Sequence, residues 1–167
     1  MILDQKGKLS TAQDLTSGTT TDSENVIQYS AIDYAAMTDL WLVVDCETIA
    51  TGNDSDTYKF SLVMSQESTL DTNKEVVAVT VTGYADNRLA TAGRRILSVN
   101  VGKQLSGMLE TDGSDYDFVG LISVISAGAT VSINASLSPT EPPTIHHKMV
   151  TESNVAIPEV TSEGSGE

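Results

Sequence analysis

Leu40-Trp41-Leu42-Val43-Val44-Asp45-Cys46-Glu47-Thr48 decides the fold, because its side chains alternate in character along the chain. The side that is apolar throughout comprises Leu40, Leu42, Val44 and Cys46. The other side comprises Trp41, Val43, Asp45 and Glu47. Alternation with period 2, in β-branched and aromatic residues, is typical of a strand with one face in a core. The stretch therefore predicts a half-buried strand, with Trp41 on the face away from the core.

Further segments repeat this pattern on both sides of the first one. Residues 58–64, 95–101 and 129–137 alternate, residues 76–82 are rich in valine and threonine, and residues 118–125 are apolar on both faces. Turn-forming residues separate these segments, and no helical pattern interrupts them. About seven or eight short strands predict an all-β, jelly-roll-like antiparallel sandwich. Its predicted core includes Leu42, Val44, Phe60, Leu62, Val79, Val99, Val131 and Ile133.

The domain organisation follows from the two ends of the chain. A length of 167 residues favours one domain, predicted over residues 23–137. Residues 1–22 form an expected extended N-terminal arm. Residues 138–167 form an expected acidic, extended C-terminal tail, because Pro139, Pro142 and Pro143 lack the donor that a central strand needs.

The net charge of −14 argues against partners that are themselves acidic. The phosphates of nucleic acids and the headgroups of anionic membranes would both be repelled. No apolar run approaches the ~20 residues that span a bilayer. Residues 1–6 lack the apolar region of a signal peptide, so we expect synthesis and use without Sec export. Cys46 is the only cysteine, and we expect it to be a small buried hydrophobe rather than half of a disulfide.

Residues that could support chemistry are few. Adjacent His146 and His147 would point to opposite sides of a strand, which disfavours a shared metal ion. No Gly-x-Ser-x-Gly elbow accompanies them. The acidic loops 53–56 and 110–117 do not fit a calcium-binding loop and are interpreted as solvated turns. The sequence predicts no catalytic centre, no cofactor and no metal site.

The candidate partner-binding residues fall into three groups. Arg88, Arg94 and Arg95 are the only arginines, and they either form ordinary surface ion pairs or contact acidic groups of a partner. Trp41 either packs within the sandwich or anchors an interface. The third group lies in the two ends, which we expect to be contact arms, with an arm folded back on its own sandwich as the alternative. It comprises Met1, Ile2, Leu3, Ile145, Met149, Val150, Val155 and Ile157.

Several of these segments together carry a family resemblance. They are residues 1–4, residues 10–16 followed by 25–27, and the pairing of 40–44 with 95–101. In this combination the chain resembles the cement, or decoration, proteins on the capsids of short-tailed bacteriophages. The resemblance covers residues 1–137 and implies an N-terminal arm followed by a small jelly roll. The chain departs from that family at residues 107–110, where an aromatic-bearing strand is expected, and in the tail.

The resemblance also implies a function. The chain would be a non-enzymatic structural protein of the virion, made in the host bacterial cytoplasm and located on the outer surface of the capsid. It would bind the assembled head as a homodimer or homotrimer and stabilise contacts between subunits of the major capsid protein. The alternative is a carbohydrate- or receptor-binding β-sandwich module on a virion or secreted particle. That module would need an exposed aromatic platform, for which Trp41 is the first candidate.

Overall fold

The computed structural model describes residues 7–29, 39–49, 56–82, 93–112, 116–126 and 130–142. The strands of this part of the chain are β1 (Lys8–Leu15), β2 (Thr20–Asp22), β3 (Ile27–Gln28), β4 (Trp41–Ile49), β5 (Thr57–Ser65), β6 (Asn73–Thr82), β7 (Arg95–Asn100), β8 (Phe118–Ser126) and β9 (Val131–Ser138). The single described helix, α1 (Gly102–Asp112), follows β7.

The strands form two antiparallel sheets with a nested order. One sheet, called sheet A here, has the order β1-β9-β4-β7, and the other, sheet B, has the order β2-β8-β5-β6 with β3 also paired to β8. Since β5 occupies one side of β8 along its whole length, β2 and β3 together form one interrupted edge strand on the other side. The strand pairs are therefore nested along the chain: the first strand pairs with the last, the next with the one before it, and so on inward. In order, these pairs are β1·β9, β2/β3·β8, β4·β7 and β5·β6. This is the jelly-roll arrangement that the sequence predicted.

The core lies between the sheets and confirms the alternation predicted for β4, β5 and β9. Leu42, Val44, Phe60, Leu62 and Ile133 are completely buried. The inward residues of β5, which are Tyr58, Phe60, Leu62 and Met64, are all in the core cluster. Val79 and Val99 pack against this cluster but are only partly buried. Leaving a leucine-sized side chain in water instead of the core would cost about 1.5–3 kcal/mol, so these positions specify which face of each strand turns inward.

The expectation of an extended arm over residues 1–22 is wrong from Gly7 onward. Strand β1 pairs with β9, and β2 pairs with β8. Leu9 and Leu15 are completely buried in the core cluster. Two register shifts interrupt β1, and Ala12, which lies within the second shift between Ser10 and Gln13, has a φ of +50°. These irregularities break the simple alternation that identifies a strand in a sequence. Residues 1–6 lie outside the described part of the chain.

The expectation that no helix interrupts the strands is also wrong. Helix α1 follows β7 directly, and the Asn100 side chain accepts a hydrogen bond from the Gly102 N–H at 3.1 Å. Such a side-chain acceptor satisfies one of the free donors at a helix start. Leu105 is completely buried in the core cluster. The helix also includes residues 107–110, where the family resemblance implied a strand.

Two strands differ from their predicted burial. Strand β8 is not covered on both faces, since Val124 is 39% exposed and Ile122 is half-buried. In β7, a register shift between the Val44–Leu97 and Asp45–Arg95 pairs leaves Ile96 as an extra residue, and Ile96 is buried as well as Leu97.

A short loop covers part of the outer face of sheet B. Residues 66–72 connect β5 to β6, and Leu70 within this loop is buried although its φ is +57°. A Cβ atom on Gly120 would lie 2.5 Å from Leu70 Cδ1. Only glycine therefore lets this leucine pack so closely on β8. The positive φ is costly for a bulky residue, so the burial of Leu70 has to offset it.

Candidate partner-binding surfaces

The described residues contain no cluster suited to a metal ion. Among them, no group of three or more histidine, cysteine, aspartate or glutamate side chains is close enough to hold one. His146 and His147 lie outside the described residues, as do residues 53–55 of the first acidic loop. The next residue, Asp56, is completely buried just before β5. The candidate functional sites considered within the described part of the chain are therefore its partner-binding surfaces.

Most predicted contact residues fall outside the described part of the chain. These are Met1, Ile2, Leu3, Arg88, Ile145, Met149, Val150, Val155 and Ile157. Trp41, Arg94 and Arg95 are described, and all three are partly buried. Trp41 and Arg95 lie in strands of sheet A, and Arg94 is the residue that precedes β7.

Trp41 lies on the outer face of sheet A, as the alternation predicted. It pairs with Asn100 of β7 on one side and with Ser138 of β9 on the other. Val43, two residues further along the same face, pairs with Ser98 and Ser136 and is only 5% exposed. The outer face of sheet A around Trp41 is therefore uncharged, with one aromatic ring among hydroxyl and amide side chains.

Arg95 takes part in an ion pair inside the chain. Its Nε atom lies 3.0 Å from Asp45 Oδ1 across the β4–β7 pair, and both side chains are less than about a third exposed. This contact is an ordinary ion pair within the chain, which is the first of the two interpretations given for the arginines. Arg94 contributes its backbone, since its carbonyl oxygen accepts from the Cys46 N–H at 2.8 Å. The structure thus places both arginines at the same end of the β4–β7 pair.

Cys46 belongs to the core, as the sequence predicted. It is 1% exposed, and its thiol approaches the Thr48 carbonyl oxygen at 3.6 Å. Burial raises the pKa of the Cys46 thiol above its ordinary value, and the neighbouring Glu47 carboxylate raises this pKa further. The thiol is therefore protonated at neutral pH, which is the unreactive form.

One side of the sandwich is joined by hydrogen bonds that link the two sheets. Residues 22–25, from the last residue of β2 into the connection to β3, run between β1 of sheet A and β8 of sheet B. The Asn25 N–H donates to the Leu9 carbonyl at 2.8 Å, and the Thr11 N–H donates to the Glu24 carboxylate at 2.9 Å. We call this the bonded side of the sandwich.

Ser23 completes the bonded side. Its N–H donates to the Leu121 carbonyl at 2.7 Å, and its hydroxyl accepts from the Leu121 N–H at 3.1 Å. The same hydroxyl donates to the Asn25 carbonyl at 2.8 Å. Ser23 is 8% exposed, so these bonds are shielded from water. The bonded side therefore offers few free backbone groups to a partner.

The opposite side, where β6 and β7 are the edge strands, is built differently, and we call it the open side. Strand β6 pairs with β5 alone among the described strands, and no hydrogen bond between β6 and β7 is found in this part of the chain. Val77 and Val79 of β6 share the inward register of the buried Phe60 and Leu62, yet both are only partly buried. From residue 76 to residue 82 the strand carries no charged residue and no proline.

The sequence interpretation missed the importance of this edge. It predicted a strand over residues 76–82 with Val79 in the core, but it did not identify β6 as an edge strand. The one available signal was the run of seven residues, 76–82, without charge or proline.

The chain matches no protein-family model and no curated protein. No described helix is long and apolar enough to cross a membrane.

Proposed function

We propose that the chain is a capsid cement protein, which binds the outside of an assembled bacteriophage head and stabilises the contacts between major capsid protein subunits. In this proposal the protein is not an enzyme, and it lies on the outer surface of the virion as a homo-oligomer. It takes its starting point from the resemblance carried by residues 1–4, 10–16, 25–27, 40–44 and 95–101.

The observation that carries the proposal is where those segments lie. Residues 40–44 and 95–101 are far apart in the sequence but pair directly, with Leu42 opposite Val99 and Val44 opposite Leu97. Residues 10–15 belong to β1 of the same sheet. Three of the five segments therefore lie in or directly beside strands of one sheet of a jelly roll, which supports that family more strongly than scattered similarities would. Residues 25–27 lie at β3 of sheet B, and residues 1–4 lie outside the described residues.

Charge and surface chemistry support a binding role. The net charge of −14 favours a partner with basic patches and keeps free copies apart in solution. The part of the outer face of sheet A around Trp41 and residues 76–82 of β6 provide uncharged surfaces for short-range contact. Long-range attraction and short-range apolar contact together suit a protein that docks on a preformed shell.

The proposal is tested by mixing the purified chain with empty shells assembled from the major capsid protein encoded in the same genome. We expect saturable co-sedimentation and a higher melting temperature for the decorated shells. An unrelated protein of similar size and net charge is the control and should not co-sediment. If binding does not saturate, or if the chain is retained on a glycan array instead, the cement proposal is wrong.

Salt provides a second measurement on the same complex. Because charges separated by more than about 10 Å are screened at 0.1 M salt, we expect association with shells to slow as salt is raised. Stopped-flow light scattering measures this rate. An association rate that is independent of ionic strength would remove the electrostatic part of the proposal.

A further inference from the structure

We propose that the edge of β6, which pairs with β5 alone among the described strands, is a docking site for an extended, basic segment of a partner, which adds to sheet B as a further strand beside β6. The inference deepens the proposed function, on which it rests for the source of the segment, namely the capsid shell. It identifies the surface that holds the segment and the chemistry of the segment itself.

The first step is the backbone of β6. This strand is ten residues long and lies at the end of sheet B, so one row of its N–H and C=O groups faces away from β5. An extended peptide can pair with such a row, and its main-chain hydrogen bonds then supply affinity. Val76 of β6 is an extra residue, because Val77 pairs with Leu62 and Glu75 pairs with Val63. From Val77 to Thr82 the pairing of β6 is regular.

The second step is the lack of protection on residues 77–82 of this edge, because Lys74, the exposed Glu75 and the extra residue Val76 all lie at the start of the strand. Natural edge strands are blunted by charged residues, proline, bulges or short length, because an uncovered flat edge invites uncontrolled pairing. Residues 76–82 contain no charge and no proline, and Ala78 and Thr80 are exposed. The bonded side has such protection, with a bulged β1, an interrupted β2/β3 and the exposed acids Asp14 and Asp22. The contrast points to β6 as an edge kept available for pairing.

The third step is the apolar surface beside the edge. Val77 and Val79 turn toward the core but are only partly covered, and Val99 of β7 and Met108 of α1 are partly covered as well. A strand added beside β6 would place every second side chain over this gap. The segment therefore needs apolar residues at alternate positions, which face the interior of the sandwich.

The fourth step is charge, which decides between possible occupants. The chain carries −14, so a second copy approaching this edge would be repelled at long range, whereas a basic segment would be attracted. The uncharged edge then allows close pairing without a buried unpaired charge. Charge complementarity thus favours a basic strand over a second copy.

The test uses the full-length chain labelled with ¹⁵N and a synthetic probe peptide, Lys-Val-Thr-Val-Thr-Val-Lys, with blocked ends. We expect the peptide to slow hydrogen exchange of the outward-facing amides within residues 77–81 by about tenfold or more. The same peptide with glutamate in place of both lysines should bind more weakly. Protection elsewhere but not on β6, or equal binding of the two peptides, would overturn the inference.

Two proline variants test the edge directly. Neighbouring residues in a strand point their N–H groups in opposite directions, so Ala78→Pro and Val79→Pro remove one donor to β5 and one donor to the docked strand. The variant whose melting temperature is closer to that of the parent identifies the outward donor. We expect that variant to bind the peptide about tenfold more weakly, and unchanged binding would overturn the inference.

A matched pair of charge variants provides a milder comparison. Thr80→Lys places a positive charge on β6, beside its pairing partner Lys59, and should weaken peptide binding by about two- to fivefold. Thr20→Lys places the same charge on the other exposed edge of sheet B and should leave binding unchanged. Equal effects of the two substitutions would show that only the net charge matters, against a site on β6.

Other occupants give distinct outcomes. If the amides of residues 77–81 in the free protein exchange more slowly as the protein concentration rises, the edge is occupied by a second copy. Protection that is independent of concentration would assign it to the chain itself. Either result overturns the inference.

Shells distinguish this inference from the proposed function. If shells do not bind but the peptide still protects β6, the cement proposal fails and the docking edge stands. If shells bind without protecting β6, the docking edge is wrong and the cement proposal stands.

Discussion

The bonded side and the open side of the sandwich differ in whether a connecting segment forms hydrogen bonds with their edge strands. On the bonded side, residues 22–25 take up backbone groups of β1 and β8 and tie the sheets together. On the open side, β6 ends sheet B without such a bridge among the described residues. Since both edges belong to the same small jelly roll, the fold itself does not require an open edge. The difference shows that hydrogen bonds between the sheets are concentrated on the bonded side among the described residues, and it motivates the proposal that the open side binds a partner.

The largest expected effect comes from the core residues of the bonded side. Leu9→Ala removes a completely buried side chain and should lower the free energy of unfolding by about 2–5 kcal/mol. Val79→Ala on the open side removes a smaller, partly covered side chain and should cost about 1 kcal/mol. Urea denaturation measures both. Equal losses for the two variants would contradict the comparison.

The next effect concerns the shielded hydrogen bonds of Ser23. Ser23→Ala leaves the Leu121 N–H and the Asn25 carbonyl without that hydroxyl, and the loss should be about 1–3 kcal/mol. Ser98→Ala on β7 is the matched control, because Ser98 is only partly buried. This control should change stability by about 0.5 kcal/mol or less. If the two alanine variants have the same midpoint in urea, residues 22–25 do not fasten the sheets.

A smaller effect is expected for the ion pair between β4 and β7. Arg95→Met should destabilise the domain by about 1 kcal/mol, because its 3.0 Å contact with Asp45 is partly shielded from water. A double-mutant cycle with Asp45→Asn isolates the interaction between the two side chains. A coupling energy of zero would show that this ion pair does not stabilise the domain.

The smallest effect is the acid dependence contributed by Glu75 on β6. Hydrogen bonds from Lys59 and then Ser61 hold the pKa of this carboxyl below its usual value. The stabilisation is therefore present above the unfolded pKa of about 4.3 and is lost as the pH falls through the lower folded pKa. Both partners of the Lys59–Glu75 pair are about half exposed, so the contribution should be about 0.3 kcal/mol. Glu75→Gln should remove this acid-dependent part, as measured by melting at pH 2 to 6, and an unchanged pH profile would contradict the assignment.

The regular strands could be predicted because each carries its own signal. Strands β5 and β9 alternate throughout, and β4 alternates from Trp41 to Cys46, so a one-residue slip would move their apolar side chains to the wrong face. Strand β1 has no such pattern, because its register shifts separate Leu9 from Leu15. Its position depends on contacts with distant residues, such as the bond from the Ala12 N–H to the Asn134 side chain. Such contacts leave no local trace in a sequence.

The candidate site could be predicted less well, for a related reason. Trp41 was placed correctly on the outer face, because its position depends only on alternation within β4. Whether Arg95 is paired with Asp45 depends on the β4–β7 register, and whether β6 is an edge depends on the order of all the strands. Helix α1 was missed because Gly102 and Gly107 weaken its helical pattern, while Asn100 before it was the available start signal.

The nested strand order also has a consequence for how the protein is made. The central strands β8 and β9 are the last two of the described strands in chain order, and β9 separates β1 from β4 in sheet A. A ribosome-bound chain would therefore expose the apolar faces of β1, β4 and β5 until Ser138 has emerged. We hypothesise that the domain folds only after β9 has been synthesised and that folding is slow, because the pairing of β1 with β9 spans almost the whole domain. Protease digestion of stalled nascent chains tests this, and resistance in a chain that ends before β8 would show that the hypothesis is wrong.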